Sequence, residues 1–181
     1  MHRGCQIMSL AIKPFYKYEE FAEHLQPLKD NWKVIRDEGL AIMDKMATVQ
    51  DDRSDGWSWL YAPLKLEDED LESLPSLAEH SETCKRQAPK TVTLCKNIEG
   101  VEAYTFSMVK AGGHINPHRE NNQFVTCMLG LQVEDESYII ADGERRDFKE
   151  GEFVIFDYRT LHEVYNNSPS DRLLLLVLLP I

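Results

Sequence analysis

His118-Arg119-Glu120, with a lone His162 further along the chain, carries the clearest chemical signal in these 181 residues. Two imidazoles and a carboxylate on one side of a metal leave its other side open, the ligand set of non-haem Fe(II) centres that activate O₂. His118 and Glu120 stand at i and i+2, so an extended strand would turn both side chains to one face. His162 must then arrive from another strand. His114, at i−4 from His118, competes for the role, but Pro117 interrupts the strand between them, so His114 is expected beside the site or in solvent. His2, His24 and His80 lie outside the β-patterned region and read as surface residues.

Arg172 adds a second element. It opens a run, Leu173 to Leu179, that is otherwise apolar. A guanidinium at the mouth of a buried strand needs an anion, because an unpaired buried charge is costly. One reading is a salt bridge to Asp171, Asp157 or another local carboxylate. The other is a bidentate clamp on the carboxylate of a substrate or cosubstrate, to which Ser107 could add a hydroxyl donor.

The elements that must position these residues are legible as patterns. Tyr18 to Leu28 and Asn31 to Met46 carry apolar residues at helical spacing, with Gly39 weakening the second helix without ending it. Thr48 to Ser58 is polar and acidic and predicts a surface loop. Trp57, Trp59, Leu60 and Tyr61 form an aromatic cluster, read first as core packing or a lid. Leu66 to Leu77 is acidic and predicts a solvated loop or short helix. After Pro89 come short β-type runs: Ala103 to Val109, Phe124 to Val133, Tyr138 to Ala141, Phe153 to Phe156, Glu163 to Tyr165 and Leu173 to Leu179. Gly112-Gly113, Asp142-Gly143, Glu150-Gly151 and Asn166-Asn167-Ser168-Pro169 separate them as turns. The pattern predicts a mainly β, jelly-roll architecture buttressed by N-terminal helices, in one domain over 1–181 with a helical part over about 1–60 and the jelly-roll core over about 88–181.

Composition narrows the function classes. With 43% hydrophobic and 28% charged residues the chain is that of an ordinary globular protein. A formal net charge of −11 argues against sequence-independent nucleic-acid binding and against docking on an anionic membrane. Cys5, Cys84, Cys95 and Cys127 show no zinc-type spacing and read as reduced thiols, which implies a cytoplasmic location. The apolar patch Ile7 to Ile12 is too short for a signal peptide, and Leu173 to Leu179 is far short of a membrane span. No feature points to a particular oligomeric state.

From about Pro89 to Pro180 the chain resembles the aspartyl/asparaginyl β-hydroxylase family of Fe(II)- and 2-oxoglutarate-dependent oxygenases. The matching stretches are Ala88-Pro89-Lys90-Thr91, Phe106-Ser107, Gly112-Gly113-His114-Ile115-Asn116-Pro117-His118 and Leu129-Gly130-Leu131. They continue with Glu150 to Asp157, Leu161-His162-Glu163-Val164-Tyr165-Asn166 and Arg172; Asn31 to Glu38 matches loosely. The resemblance implies a double-stranded β-helix (a jelly-roll, cupin-like fold), with His118 and His162 as iron ligands and Arg172 with Ser107 on the distal carboxylate of 2-oxoglutarate. Animal members have glycine at the position of Glu120, where other members have an acidic residue; here Glu120 restores a three-ligand set. The family often carries Arg-x-His before Leu-Gly-Leu as part of the 2-oxoglutarate site, where this chain has Thr126-Cys127-Met128, and Arg119 or Asn122 could compensate.

The expected activity is hydroxylation of an unactivated C–H bond in a small-molecule or amino-acid-like substrate, free, carrier-bound or in a peptide of Asp/Asn type. Trp57, Trp59, Tyr61, Arg119 and Asn122 are candidates for the substrate pocket. Two other readings stand beside it: a non-catalytic cupin-like protein that binds metal or carboxylate, and a metal-dependent cupin enzyme without 2-oxoglutarate, in which Arg172 grips the substrate itself.

Overall fold

The structure, a computed structural model, describes residues 12–50, 52–66, 75–121 and 123–181. The chain opens with β1 (Phe15–Tyr16), followed by α1 (Ala22–Asp30), α2 (Trp32–Ala41), β2 (Ala47–Thr48) and β3 (Trp59–Lys65). Two further helices, α3 (Pro75–Gln87) and α4 (Pro89–Lys96), precede the remaining strands. These are β4 (Ala103–Val109), β5 (Gly113–His118), β6 (Phe124–Gln132), β7 (Ser137–Ala141), β8 (Glu144–Asp147), β9 (Phe153–Asp157), β10 (His162–Asn166) and β11 (Arg172–Pro180).

A seven-stranded sheet of order β1-β9-β6-β11-β4-β3-β2 faces a four-stranded sheet of order β5-β10-β7-β8, and all strand pairs are antiparallel. The large sheet is covered on both faces, which explains the apolar run in β11. Leu173, Leu175, Val177 and Leu179 pack with Leu25, Leu28 and Ile35 of α1 and α2. Leu174 and the partly buried Leu176 instead join Ile115, Ile139, Phe156 and Val164 between the sheets. Arg172 shares the inward parity of Leu174 and Leu176, so the strand's alternation aims its guanidinium between the sheets.

Two glycines answer to specific geometry. A Cβ at Gly39 would lie 2.9 Å from the Phe106 ring and 3.0 Å from Leu173, so glycine lets α2 press onto the large sheet. Asp142 (φ 45°) and Gly143 (φ 83°) both adopt left-handed backbone, as the two-residue hairpin between β7 and β8 requires. Helix α4 starts with Pro89 in its first turn, a position that needs no amide donor. The Glu38 carboxylate accepts from Lys90 N (3.0 Å), Thr91 N (2.8 Å) and Thr91 Oγ1 (2.7 Å), tying α2 to the start of α4.

The strand pattern after residue 100 agrees closely with the sequence reading, but Pro75–Gln87 and Pro89–Lys96 are helices, where the sequence reading had only a solvated loop or short helix up to Leu77 and no element between there and Ala103. The expected second helix, Asn31 to Met46, ends at Ala41 and passes through a 3₁₀ turn, Met43–Lys45. Most of the acidic segment 66–77 falls outside the described residues.

Candidate active site

The two histidines meet through a β-bulge. In the β5–β10 ladder Val164 pairs with Ile115 and His162 with His118, so three steps on β5 match two on β10. The extra residue reverses the parity of β5: Ile115 faces the space between the sheets, and His118 faces it too. His114, which would share a face with His118 on a regular strand, turns away. Its ring stacks on Tyr165 at 4.1 Å and its Nε2 lies 3.2 Å from Glu163 Oε2.

The rings of His118 and His162 approach to 4.1 Å between centroids. His118 Nδ1 donates to Asn116 O at 2.7 Å, and His162 Nδ1 donates to Thr160 O at 2.9 Å. A carbonyl can only accept, so each Nδ1 carries the proton and each Nε2 keeps its lone pair, the arrangement of a metal-ligating histidine. His162 is 3% exposed, and burial, with a smaller contribution from the nearby His118, pushes its pKa down to about 4. It is therefore neutral at physiological pH and can bind a cation without first losing a proton.

Glu120 stands elsewhere than the strand argument implied. β5 ends at His118, so the i+2 rule no longer applies, and Glu120 N donates to Tyr158 O at 3.0 Å. Its carboxylate accepts from Arg53 Nη1 at 2.6 Å. Among the described residues no group of three His, Cys, Asp or Glu side chains is assembled to hold a metal ion. The expected three-ligand set is thus not formed in this arrangement.

Behind the histidines runs a cavity lined by Trp59, Ser107, Ile115, Thr126, Met128, Phe156, Tyr158, Val164, Arg172, Leu174 and Leu176. Arg172 is 2% exposed, and its Nε and Nη1 have no hydrogen-bond partner. The salt bridges considered from sequence do not form: Asp157 accepts from Arg159 and Tyr16, and Asp171 accepts from Ala111 N. Arg172 Cζ lies 4.7 Å from the Phe148 ring centre, and burial pushes the Arg172 pKa down to about 9, which leaves it cationic at neutral pH. Buried Asn166 fixes the approach to β11, donating to Val109 O and Ser170 O while its Oδ1 accepts from Ser168 Oγ.

Ser107 Oγ accepts from Trp59 Nε1 at 3.0 Å, which leaves the serine O–H to donate elsewhere. Thr126 Oγ1 is buried without a partner. The cavity is narrow, about 30 Å³, and Met128 is the most pliable member of its lining.

Outside it lies an open groove of about 480 Å³ lined by Asp52, Arg53, Pro117, His118, Arg119 and Glu120. Of the substrate-site candidates, Arg119 lines this groove and Trp59 lines the inner cavity. Trp57 is 50% exposed on the loop before β3, and Tyr61 makes an edge contact with His80, in neither lining. Asn122 lies outside the described residues. Sequence reasoning missed Asp52 and Arg53, which reach the groove only because their loop bridges onto β5, and Phe156 and Tyr158, whose rings flank His162.

Two facing antiparallel sheets, with a histidine pair and a buried arginine between them, define a double-stranded β-helix of the cupin-like kind. The sequence matches the family described as aspartyl/asparaginyl beta-hydroxylase over residues 29–179, and the chain belongs to that family. It is 30% identical to the human aspartyl/asparaginyl beta-hydroxylase over 188 aligned positions, covering 94% of this chain and 23% of the human protein. A Rhizobium tropici ornithine lipid ester-linked acyl 2-hydroxylase is 31% identical over 101 positions, 54% of this chain and 36% of that protein. The chain thus spans about a quarter to a third of the length of these relatives. In fold it is similar to a Pseudomonas putida prolyl-4-hydroxylase (TM-score 0.51, 16% identity, covering 83% of this chain and 86% of that one). Among the described residues no helix is long and apolar enough to cross a membrane.

Proposed function

We propose that this protein is an Fe(II)- and 2-oxoglutarate-dependent oxygenase that hydroxylates an unactivated C–H bond of a small, amino-acid-like substrate. The observation that carries the reading is the buried Arg172, with two N–H groups unpartnered, in the same cavity as two histidines whose Nε2 atoms are available. A charge so placed calls for an anionic ligand, and a carboxylate matches a guanidinium edge with two oxygens.

The residues present fit both groups. His118 and His162 would hold the metal through Nε2. Arg172 and the Ser107 hydroxyl would bind one carboxylate of the 2-oxo diacid, with Thr126 Oγ1 a further polar atom in the wall. Fe(II) with 2-oxoglutarate and O₂ supplies the oxidising power, 2-oxoglutarate becoming succinate and CO₂ as one oxygen atom enters the substrate C–H bond. Ile115, Phe156, Val164, Leu174 and Leu176 give the cavity a largely apolar wall. Met128 would have to swing aside to admit a five-carbon diacid into so narrow a space.

The names of the relatives cover hydroxylation of Asp/Asn residues and of a lipid acyl chain. A groove lined by Asp52, Arg53, Arg119 and Glu120 favours a polar, amino-acid-like substrate over an acyl chain. The formal net charge of −11 argues against nucleic acid and anionic membranes as partners.

The narrow cavity favours one alternative, a cupin-like protein that takes a shorter carboxylate. Anaerobic calorimetric titration of 2-oxoglutarate into Mn(II)-loaded and metal-free protein separates the two. Metal-dependent binding, followed by succinate formation with Fe(II) and O₂, is the expected result. Metal binding with no affinity for 2-oxoglutarate would reject the oxygenase reading in favour of the alternative.

A further inference from the structure

Glu120 is two residues from His118 and lines the same groove, yet its carboxylate is engaged by Arg53. The two side chains are 27% and 32% exposed. An ion pair within reach of water is weak and readily exchanged. The backbones that carry the pair are, by contrast, each tied down, Glu120 N to Tyr158 O at 3.0 Å and the Arg53 loop to β5. Arg53 O accepts from Asn116 N at 2.9 Å, Asp52 O accepts from Asn116 Nδ2 at 3.0 Å, and Ser54 forms a β-bridge with Ile115. Exchange of the pair therefore moves side chains on a fixed frame, with the Arg53 guanidinium also 5.3 Å from the Trp59 ring centre.

We propose that Arg53 withholds Glu120 from the histidine pair, and that an anionic group entering the groove takes over Arg53 and releases Glu120 to complete a three-donor metal site. The inference rests on the reading of His118 and His162 as metal ligands. Exchanging one carboxylate for another on a guanidinium trades like for like in the bond itself, so a carboxylate that is also held by other contacts in the groove, or is present at high concentration, can displace the tethered Glu120. Once released, Glu120 adds a negative oxygen donor to a site that otherwise offers two neutral nitrogens, and a divalent cation is held more tightly. Substrate arrival and metal affinity are thereby coupled, and the substrate class is narrowed to molecules bearing a carboxylate or similar anion. Arg53 acts here as a positioning residue, through Glu120.

Calorimetric titration of Mn(II) into the full chain tests this without recourse to turnover. Arg53→Gln is expected to bind Mn(II) about 10- to 100-fold more tightly than wild type, the range over which a ligand's outer partners govern affinity. Arg53→Lys, which keeps the cation, should stay near wild type. The Arg53→Gln/Glu120→Gln double variant, which lacks both charges, should lose the gain. Acetate, as a carboxylate probe, should tighten Mn(II) binding to wild type and leave Glu120→Gln unchanged. The proposal is overturned if Arg53→Gln binds no more tightly, if the double variant keeps the gain, or if acetate has no effect on wild type. The metal-site reading fails separately, if His162→Ala binds Mn(II) as well as wild type.

Discussion

His118 and His162 are direct register partners across β5 and β10, with ring centroids 4.1 Å apart and each Nδ1 bound to a backbone carbonyl two residues before it. The same local device sets both rings: a side chain folded back on its own main chain fixes the tautomer without help from another element. The two rings thus stand side by side with both Nδ1 atoms turned to the main chain.

If the pair holds the metal, either histidine is indispensable. His118→Ala and His162→Ala should each weaken Mn(II) binding beyond about 100-fold, since even the outer partners of a ligand are worth 10- to 100-fold. Calorimetry on each variant, with circular dichroism to confirm the fold, reads this out. Wild-type affinity in either variant would exclude that residue as a ligand.

The buried His162 also predicts how metal-free protein responds to acid. Its pKa is lowered to about 4 in the folded state and sits near 6.5 when the chain unfolds. Between those values the unfolded chain takes up a proton that the folded one refuses. This contribution is constant above about pH 6.5, falls as pH drops towards 4, and amounts to about 3 kcal/mol across the window. Urea unfolding of wild type and His162→Gln at pH 7.5 and 4.5 isolates the effect from the carboxylates. Wild type should lose more stability on acidification; equal losses would mean the imidazole is solvated.

Much of this architecture was readable from sequence because the strands are short apolar runs and the turns between them carry Gly, Asn and Asp. β4 was expected with its observed bounds, and β6, β7, β9, β10 and β11 within a residue. Helices α3 and α4 escaped because Pro75–Gln87 carries few apolar residues and Pro89 reads as a break, although proline is well placed in a helix's first turn. At the site, residue types were legible while their pairing was not. Glu120 and His118 look like strand neighbours, yet the strand ends between them. The partner that claims Glu120, Arg53, is 67 positions away, with no local pattern to announce it.

Glu38 offers a check on the packing that supports the large sheet. Its carboxylate satisfies two amides and a hydroxyl at the start of α4. Glu38→Ala leaves those donors without it and should cost about 1–2 kcal/mol, as for a lost helix cap. A denaturant midpoint shifted downward, with metal affinity unchanged, is the expected signature. A shift smaller than a few tenths would show that water substitutes freely.

Arg172 leads to a prediction in which stability and binding move in opposite directions. The ligand-free protein keeps a guanidinium among Phe148, Leu174 and Leu176 with two nitrogens unmatched by protein acceptors, a cost that an anion would relieve. Arg172→Met fills similar volume without charge. By analogy with buried ion pairs replaced by apolar side chains, it should stabilise the ligand-free protein by about 1–4 kcal/mol. The same change should abolish 2-oxoglutarate binding while Mn(II) affinity stays near wild type, because the histidines are untouched. A purely structural arginine predicts the reverse: lower stability in the variant, with any carboxylate affinity intact. Thermal unfolding with and without 2-oxoglutarate, run on both proteins with Mn(II) present, distinguishes the two. Wild type should start lower and rise on adding the diacid, whereas the variant should start higher and stay there.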